Sequence, residues 1–228
     1  PRSTLFPYTT LFRSRVIEYL ASTSKRINLD FTITHSKPRS SVERDSGRNL
    51  RIFQEKLKEH VKFSTRDILY YAKELYWNGD NETALIWFNL FFNQTNMWVE
   101  DCIEAARMKA EILEKEGKRD EMIGFLSQSI LKYGMNNRLL YMCGLGLYHA
   151  KKYHEATMYF LAVVNGLGTT SEYFADSTDY TFLSLVWLSC CYWYSGDKVT
   201  GKRFHEIAKA MYPQAPVIQT NEQFFGAV

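Results

Sequence analysis

The strongest constraint on this chain is a pattern that recurs four times from residue 65 onward: a helical apolar stripe, a short turn, and a second helical stripe. The turns are Asn78-Gly79-Asp80, Glu116-Gly117-Lys118, Lys151-Lys152-Tyr153 and Ser195-Gly196-Asp197. Before them, apolar and small residues recur at helical spacing: Ile68, Tyr71, Ala72 and Leu75; Ala106, Ala110 and Leu113; Leu140, Gly144 and Leu147; Leu185, Leu188, Ser189 and Tyr192. After them come Ala84, Phe88 and Phe91; Met122, Leu126 and Ser129; Ala156, Phe160 and Val163; Gly201, His205 and Ala208. One such unit cannot bury its apolar face alone, so consecutive units must stack. Units starting at Thr65, Ile103, Asn137 and Phe182 are spaced by 38, 34 and 45 residues, the last gap carrying an insert around Gly166 to Tyr180. Gly supplies the left-handed turn in three units; the third has Lys151 instead. Ser129, Gly201 and His205 fit least well.

This arrangement resembles the tetratricopeptide repeat. Small residues at two positions let the paired helices approach, and large apolar residues fill the space between hairpins. The expected fold is all-α, a tetratricopeptide-like right-handed helical solenoid over residues 48–228. Arg48 to His60 reads as a preceding helix, with Leu50, Phe53 and Leu57 on one face. Gln219 to Phe225 reads as a short closing helix that covers the last apolar face. Gly144-Leu145-Gly146 lacks the third glycine of a dinucleotide loop and is better read as close helix packing.

Residues 15–47 differ. Leu29, Phe31 and Ile33 alternate with Asp30, Thr32 and Thr34, the period of a half-buried strand, and Ser36 to Gly47 reads as a polar loop. Residues 1–14 are expected to be foreign. The eleven residues from Thr4 to Ser14 resemble the translation of a sequencing adapter, which implies that the authentic chain is cut before Arg15. Pro7, Thr9 and Thr10 break any signal-peptide core.

Composition enters through what it excludes. With 15 Tyr, 15 Phe and 5 Trp against 12 Gly and 5 Pro, the chain is not disordered. Setting Arg2 and Arg13 aside leaves 26 of the 28 basic residues against 25 acidic ones, so the basic balance nearly vanishes and no nucleic-acid partner is expected. The apolar run Phe182 to Tyr194 is thirteen residues, too short for a membrane span, and reads as a buried helix. Cys102, Cys143, Cys190 and Cys191 lie in apolar helical patterns and read as reduced core thiols, which favours a cytoplasmic location. No Asp-x-Asp, His-Glu-x-x-His, phosphate loop or Gly-x-Ser-x-Gly occurs. Catalytic residues and a metal site are therefore not expected in this chain.

A second resemblance covers Arg15 to about Phe225. Arg15-Val16-Ile17-Glu18-Tyr19-Leu20, Phe31-Thr32-Ile33-Thr34-His35, Arg48-Asn49-Leu50-Arg51-Ile52-Phe53 and the run Phe63 to Leu75 occur in this order. Together they look like the C-terminal part of bacterial family 2 glycosyltransferases that carry a tetratricopeptide tail. Trp98-Val99-Glu100-Asp101 and Tyr192 to Asp197 also fit. The resemblance implies that residues 15–47 are a β remnant of the glycosyltransferase domain. It further implies that the nucleotide-sugar site, with its divalent metal (Mg or Mn), belongs to a missing upstream part. Ile17 stands where that family usually has His. His35 would approach the metal or diphosphate of an intact enzyme, or simply make a structural bond at a strand end; both readings stay open.

In such a solenoid the first helix of each pair lines the concave face. Tyr70, Glu74, Trp77, Lys109, Tyr141 and Tyr148 are the candidate groove residues, suited by stacking and hydrogen bonding to a peptide, protein or glycan acceptor. Trp87, Trp98, Trp187 and Trp193 read as packing residues. The expected function is the non-catalytic tail of a glycosyltransferase. The alternative is a free-standing adaptor that binds a peptide or protein.

Overall fold

The computed structural model describes residues 47–170 and 178–226. The expectations for residues 1–14, for the strand at 28–35, for Ile17 and His35, and for the loop before Gly47 lie outside these residues. The chain divides into two units, Pro1–Lys62 and Phe63–Val228.

The first unit contains α1 (Arg48–Lys58), which opens at Gly47 with φ 81° and buries Phe53. The amphipathic face expected for this helix is present. Its exposed Lys58–Glu55 pair, 2.7 Å apart, adds little, because solvent screens it.

The second unit is built from α2 (Thr65–Trp77), α3 (Asn81–Phe92), α4 (Val99–Lys115), α5 (Arg119–Tyr133), α6 (Asn137–His149), α7 (Tyr153–Val164), α8 (Tyr180–Tyr194), α9 (Lys198–Met211) and α10 (Pro216–Phe225). These form four hairpins, α2–α3, α4–α5, α6–α7 and α8–α9, followed by α10. Among the described residues there is no strand, only a parallel bridge between Asn136 and Thr169. No described helix is long and apolar enough to cross a membrane.

Local chemistry sets the helix starts. Ser64 Oγ accepts from the Asp67 N–H at 3.1 Å while the Asp67 carboxylate accepts from the Ser64 N–H at 3.1 Å, a reciprocal cap. Asp80 and Asp197 cap α3 and α9 by accepting from Thr83 and Thr200. Each such cap is worth about 1 kcal/mol. Three starts differ from the sequence expectation. α4 begins at Val99 rather than Ile103, because Glu100 and Asp101 favour the positive end of the helix dipole. α8 begins at Tyr180 rather than Phe182, because Asp179 caps it by accepting from the Phe182 N–H at 2.9 Å. α10 begins at Pro216 rather than Gln219, because Pro at the first helical position forfeits no hydrogen bond.

The hairpin turns share one geometry. Gly79, Gly117 and Gly196 have φ of 82°, 73° and 92°, and Lys151 adopts the same left-handed conformation at φ 60°. The N–H of Asp80, Lys118 and Lys152 returns to the carbonyl of Leu75, Leu113 and Leu147 at 2.9–3.0 Å. The helix ends are thereby satisfied and the chain reverses in three residues in each hairpin.

One apolar cluster runs from Ile103, Ala106, Ala110 and Leu113 on α4 through Leu126, Leu140, Cys143 and Phe160 to Leu188 and Cys191 on α8. A second joins Phe182, Leu185 and Val186 to Ala208 and Ile218. The small residues sit where the helices of a hairpin meet. A Cβ on Gly144 would stand 2.8 Å from the Phe160 ring, and one on Gly201 would stand 2.9 Å from the Ser189 carbonyl oxygen. Gly201, a poor fit to the repeat pattern, thus marks a very close helix approach. Ser129 is buried with its hydroxyl donating to the Phe125 carbonyl at 2.9 Å. His205 is buried with its ring stacked on Phe225. The four cysteines are free, and Cys102, Cys143 and Cys191 are buried. Burial pushes all four thiols up, Cys191 to about 12.

Candidate functional site

Neighbouring first helices touch, α2 with α4, α4 with α6 and α6 with α8, whereas no pair of second helices touches to that extent. The hairpin stack is therefore tighter on the first-helix side, which is the inside of its curve. A functional surface has to be sought there.

That side carries a continuous polar ladder. Its centre is α4, where Glu104, Arg107 and Glu111 fall on one stripe at i, i+3 and i+7. Arg107 donates to Glu104 through Nη2 at 2.7 Å and to Glu111 through Nη1 at 2.5 Å. On one flank the Tyr76 hydroxyl of α2 donates to Glu111. On the other, Arg138 of α6 donates to Glu104, and its Nε reaches the Tyr180 hydroxyl at the start of α8 at 3.2 Å. Trp187 Nε1 then donates to the Tyr141 hydroxyl at 2.9 Å. The ladder crosses all four hairpins.

Its electrostatics follow from burial and pairing. Burial alone would raise the Glu104 carboxyl, but the Arg107 hydrogen bonds and the charges of Arg107, Arg138 and Lys73 outweigh it and leave the pKa lowered. Burial would likewise lower the Arg107 guanidinium, yet Glu104 and Glu111 raise it. Tyr76 is raised by burial and by Glu111. These groups are locked as ions and cross-links, not poised as acids or bases at neutral pH.

Beside the ladder lies a cavity of 350 Å³ between α4, α6 and the start of α8. Met122, Tyr141, Met142 and Leu145 give it apolar walls, and Arg107, Glu111, Lys115 and Arg138 stand on its rim. An apolar floor with a few fixed polar groups is the general form of a ligand site.

The six residues expected from sequence are distributed unevenly around it. Tyr141 lines the cavity. Tyr148 lies one helix end away, its ring 4.6 Å from Trp187, in a cluster with Tyr153 and Tyr194. The structure thus joins Tyr141 and Tyr148 through Trp187. Tyr70 and Glu74 are half-buried on α2, where Tyr70 accepts from Arg66 at 3.1 Å. Trp77, at the end of α2, is 58% exposed. Lys109 lies elsewhere: it is buried between second helices, donating to Asn89 of α3 at 2.7 Å with its ammonium 4.0 Å from the Phe125 ring centre. Burial lowers its pKa.

Sequence reasoning missed Tyr76, Glu104, Arg107, Glu111, Arg138 and Tyr180. The signal for three of them was available, since residues 104, 107 and 111 form one charged stripe, about 110° around α4 from the Ala106–Ala110 face.

The fold has clear counterparts among solved structures. YrrB, a TPR protein with an unusual peptide-binding site, superposes with a TM-score of 0.63 at 13% identity, over 81% of this chain and 87% of that one. MamA from Desulfovibrio magneticus RS-1, residues 41 to the end, gives 0.58 at 14% identity, over 78% and 94%. These likenesses show the fold, a tetratricopeptide-like helical solenoid. No protein-family model matches the chain, and no curated protein does.

Proposed function

We propose that the repeat unit docks an extended peptide segment of a partner protein along its inner face, seating one bulky apolar side chain in the cavity beside the ladder. The observation that carries this is the cavity itself: apolar walls, the charges of Arg107, Glu111 and Arg138 already fixed by neighbours, and enough volume for a large side chain. A preorganised rim loses little freedom when a ligand arrives. The peptide-binding site named for YrrB, on the same fold, supports the reading.

The test is selection of peptides from a random displayed library against the full chain, followed by fluorescence anisotropy. Leu145→Trp fills the cavity and is expected to weaken binding at least about tenfold with the helical spectrum unchanged. Equal affinity of wild type and variant rejects the site.

We further infer that this module serves as the non-catalytic tail of a family 2 glycosyltransferase. Support comes from the ordered segments at 15–20, 31–35, 48–53 and 63–75. In that reading the docked partner is a protein or glycan acceptor. The nucleotide sugar and a divalent Mg or Mn would belong to an upstream domain. Free thiols support the cytoplasm as its place. The repeat geometry fits a free-standing adaptor equally well, so the deciding observation is the reading frame before Arg15. An upstream domain with a strand-ending Asp-x-Asp supports the transferase tail, and a start codon just ahead of Arg15 leaves the adaptor.

A further inference from the structure

Away from the groove, α9 and α10 gather three metal-ligating side chains. His205 and Glu206 come from α9 and Glu222 from α10, with one ligand atom of each within 4.8 Å of the others. His205 is only 1% exposed, and its ring is held against Phe225 at 4.7 Å and an interplanar angle of 18°. Its Nε2 is aimed at Glu222 Oε2, 3.3 Å away, while its Nδ1 has no hydrogen-bond partner.

The 3.3 Å separation is informative. It is long for a charge-assisted N–H···O bond, which runs to about 2.9 Å. It is close to the edge of a tetrahedron whose centre lies about 2.0 Å from both atoms, as for zinc held by nitrogen and carboxylate oxygen; the exposed Glu206, within 4.8 Å of both, has to turn in to complete the set. One imidazole with two carboxylates is a borderline donor set, suited to zinc rather than to magnesium or calcium. Lys209 also donates to Glu222 at 3.0 Å, so the carboxylate has a resident cation that an incoming metal must displace.

We propose that His205, Glu206 and Glu222 form a site for a divalent transition metal of the zinc class, with water in the fourth position, and that the bound ion fastens α10 to α9. Lys209 holds the carboxylate when the metal is absent and competes with it for the site.

The experiment is titration of the chelator-treated full chain with Zn²⁺, and separately with Co²⁺ to read the visible absorption of a four-coordinate ion. One equivalent should bind, and zinc at a hundredfold excess over Kd should raise Tm by about 5 °C. Glu206→Gln and Glu222→Gln should each weaken zinc at least about tenfold. Lys209→Met should tighten it, an outcome that a purely structural Lys209–Glu222 pair does not produce. These variants leave the buried imidazole in place, so folding survives. Unchanged affinity in the two carboxylate variants, or weaker binding in Lys209→Met, overturns the proposal.

Discussion

The two glycines of α6 meet different neighbours, and this separates rigid from yielding contacts. An added Cβ at Gly144 meets the ring of Phe160, which is fully buried and has nowhere to go. At Gly146 it meets the terminal methyl of Met122 at 2.2 Å, the tip of an unbranched chain that borders the cavity and can swing aside, and Ile123 Cγ1 at 3.2 Å, which has to give by only a few tenths of an ångström. Gly144→Ala is therefore expected to cost about 2 kcal/mol by overpacking. Gly146→Ala should stay within about 0.5 kcal/mol of wild type, because the helix gains about 0.5–1 kcal/mol on losing a glycine. Urea unfolding of the two variants measures this, and equal losses would show that Met122 does not yield. The close packing of this Gly-Leu-Gly stretch was visible in the sequence. Which glycine faces a ring and which a flexible chain was not, because that depends on the partner helix.

At the scale of elements, the third turn is the odd one. Lys151 adopts a left-handed conformation that the other three turns assign to glycine, at a cost of about 1 kcal/mol for an L-residue with a Cβ. Lys151→Gly should recover most of that and raise Tm by about 2–4 °C in a thermal melt. A lower Tm would mean that the Lys151 side chain stabilises the turn in some other way. The helices and turns were legible because repetition shows the same small and large residues four times over. The insert between α7 and α8 stretches the spacing without disturbing the pattern on either side. The site was legible only in part, for a geometric reason. Lys109 lies two residues from both Arg107 and Glu111, about 200° around the helix, so it points to the second helices while they point inward. Only the rotation of α4 in the stack decides which polar stripe faces the groove. Tyr141 fell on the right side, whereas Tyr76, one residue past the buried Leu75, is turned about 100° from the apolar stripe and so reaches Glu111 of α4. Trp187 read as a packing residue, and it does pack, but it also bonds to Tyr141.

For the molecule as a whole, the ladder couples stability to pH. Glu104 has a folded pKa below its ordinary 4.5. A depressed carboxyl contributes stability that is complete above the unfolded value and lost as pH falls through the folded one. Wild type should therefore weaken progressively below pH 4.5. Glu104→Gln should lose about 2 kcal/mol at pH 7, because it removes the carboxylate that Arg107 and Arg138 share while Glu111 and Tyr180 still hold them, and should show a flatter acid limb. Denaturant titrations across pH 3–7 read both, and a parallel acid limb in the variant would assign the dependence to other carboxylates. The contact pattern has a further consequence. Each helix of the repeat unit packs against its immediate neighbours along the chain or the next helix but one. A polypeptide built this way has little to wait for during synthesis: each pair of rods can settle on the preceding pair soon after it leaves the ribosome, before the later ones have been translated.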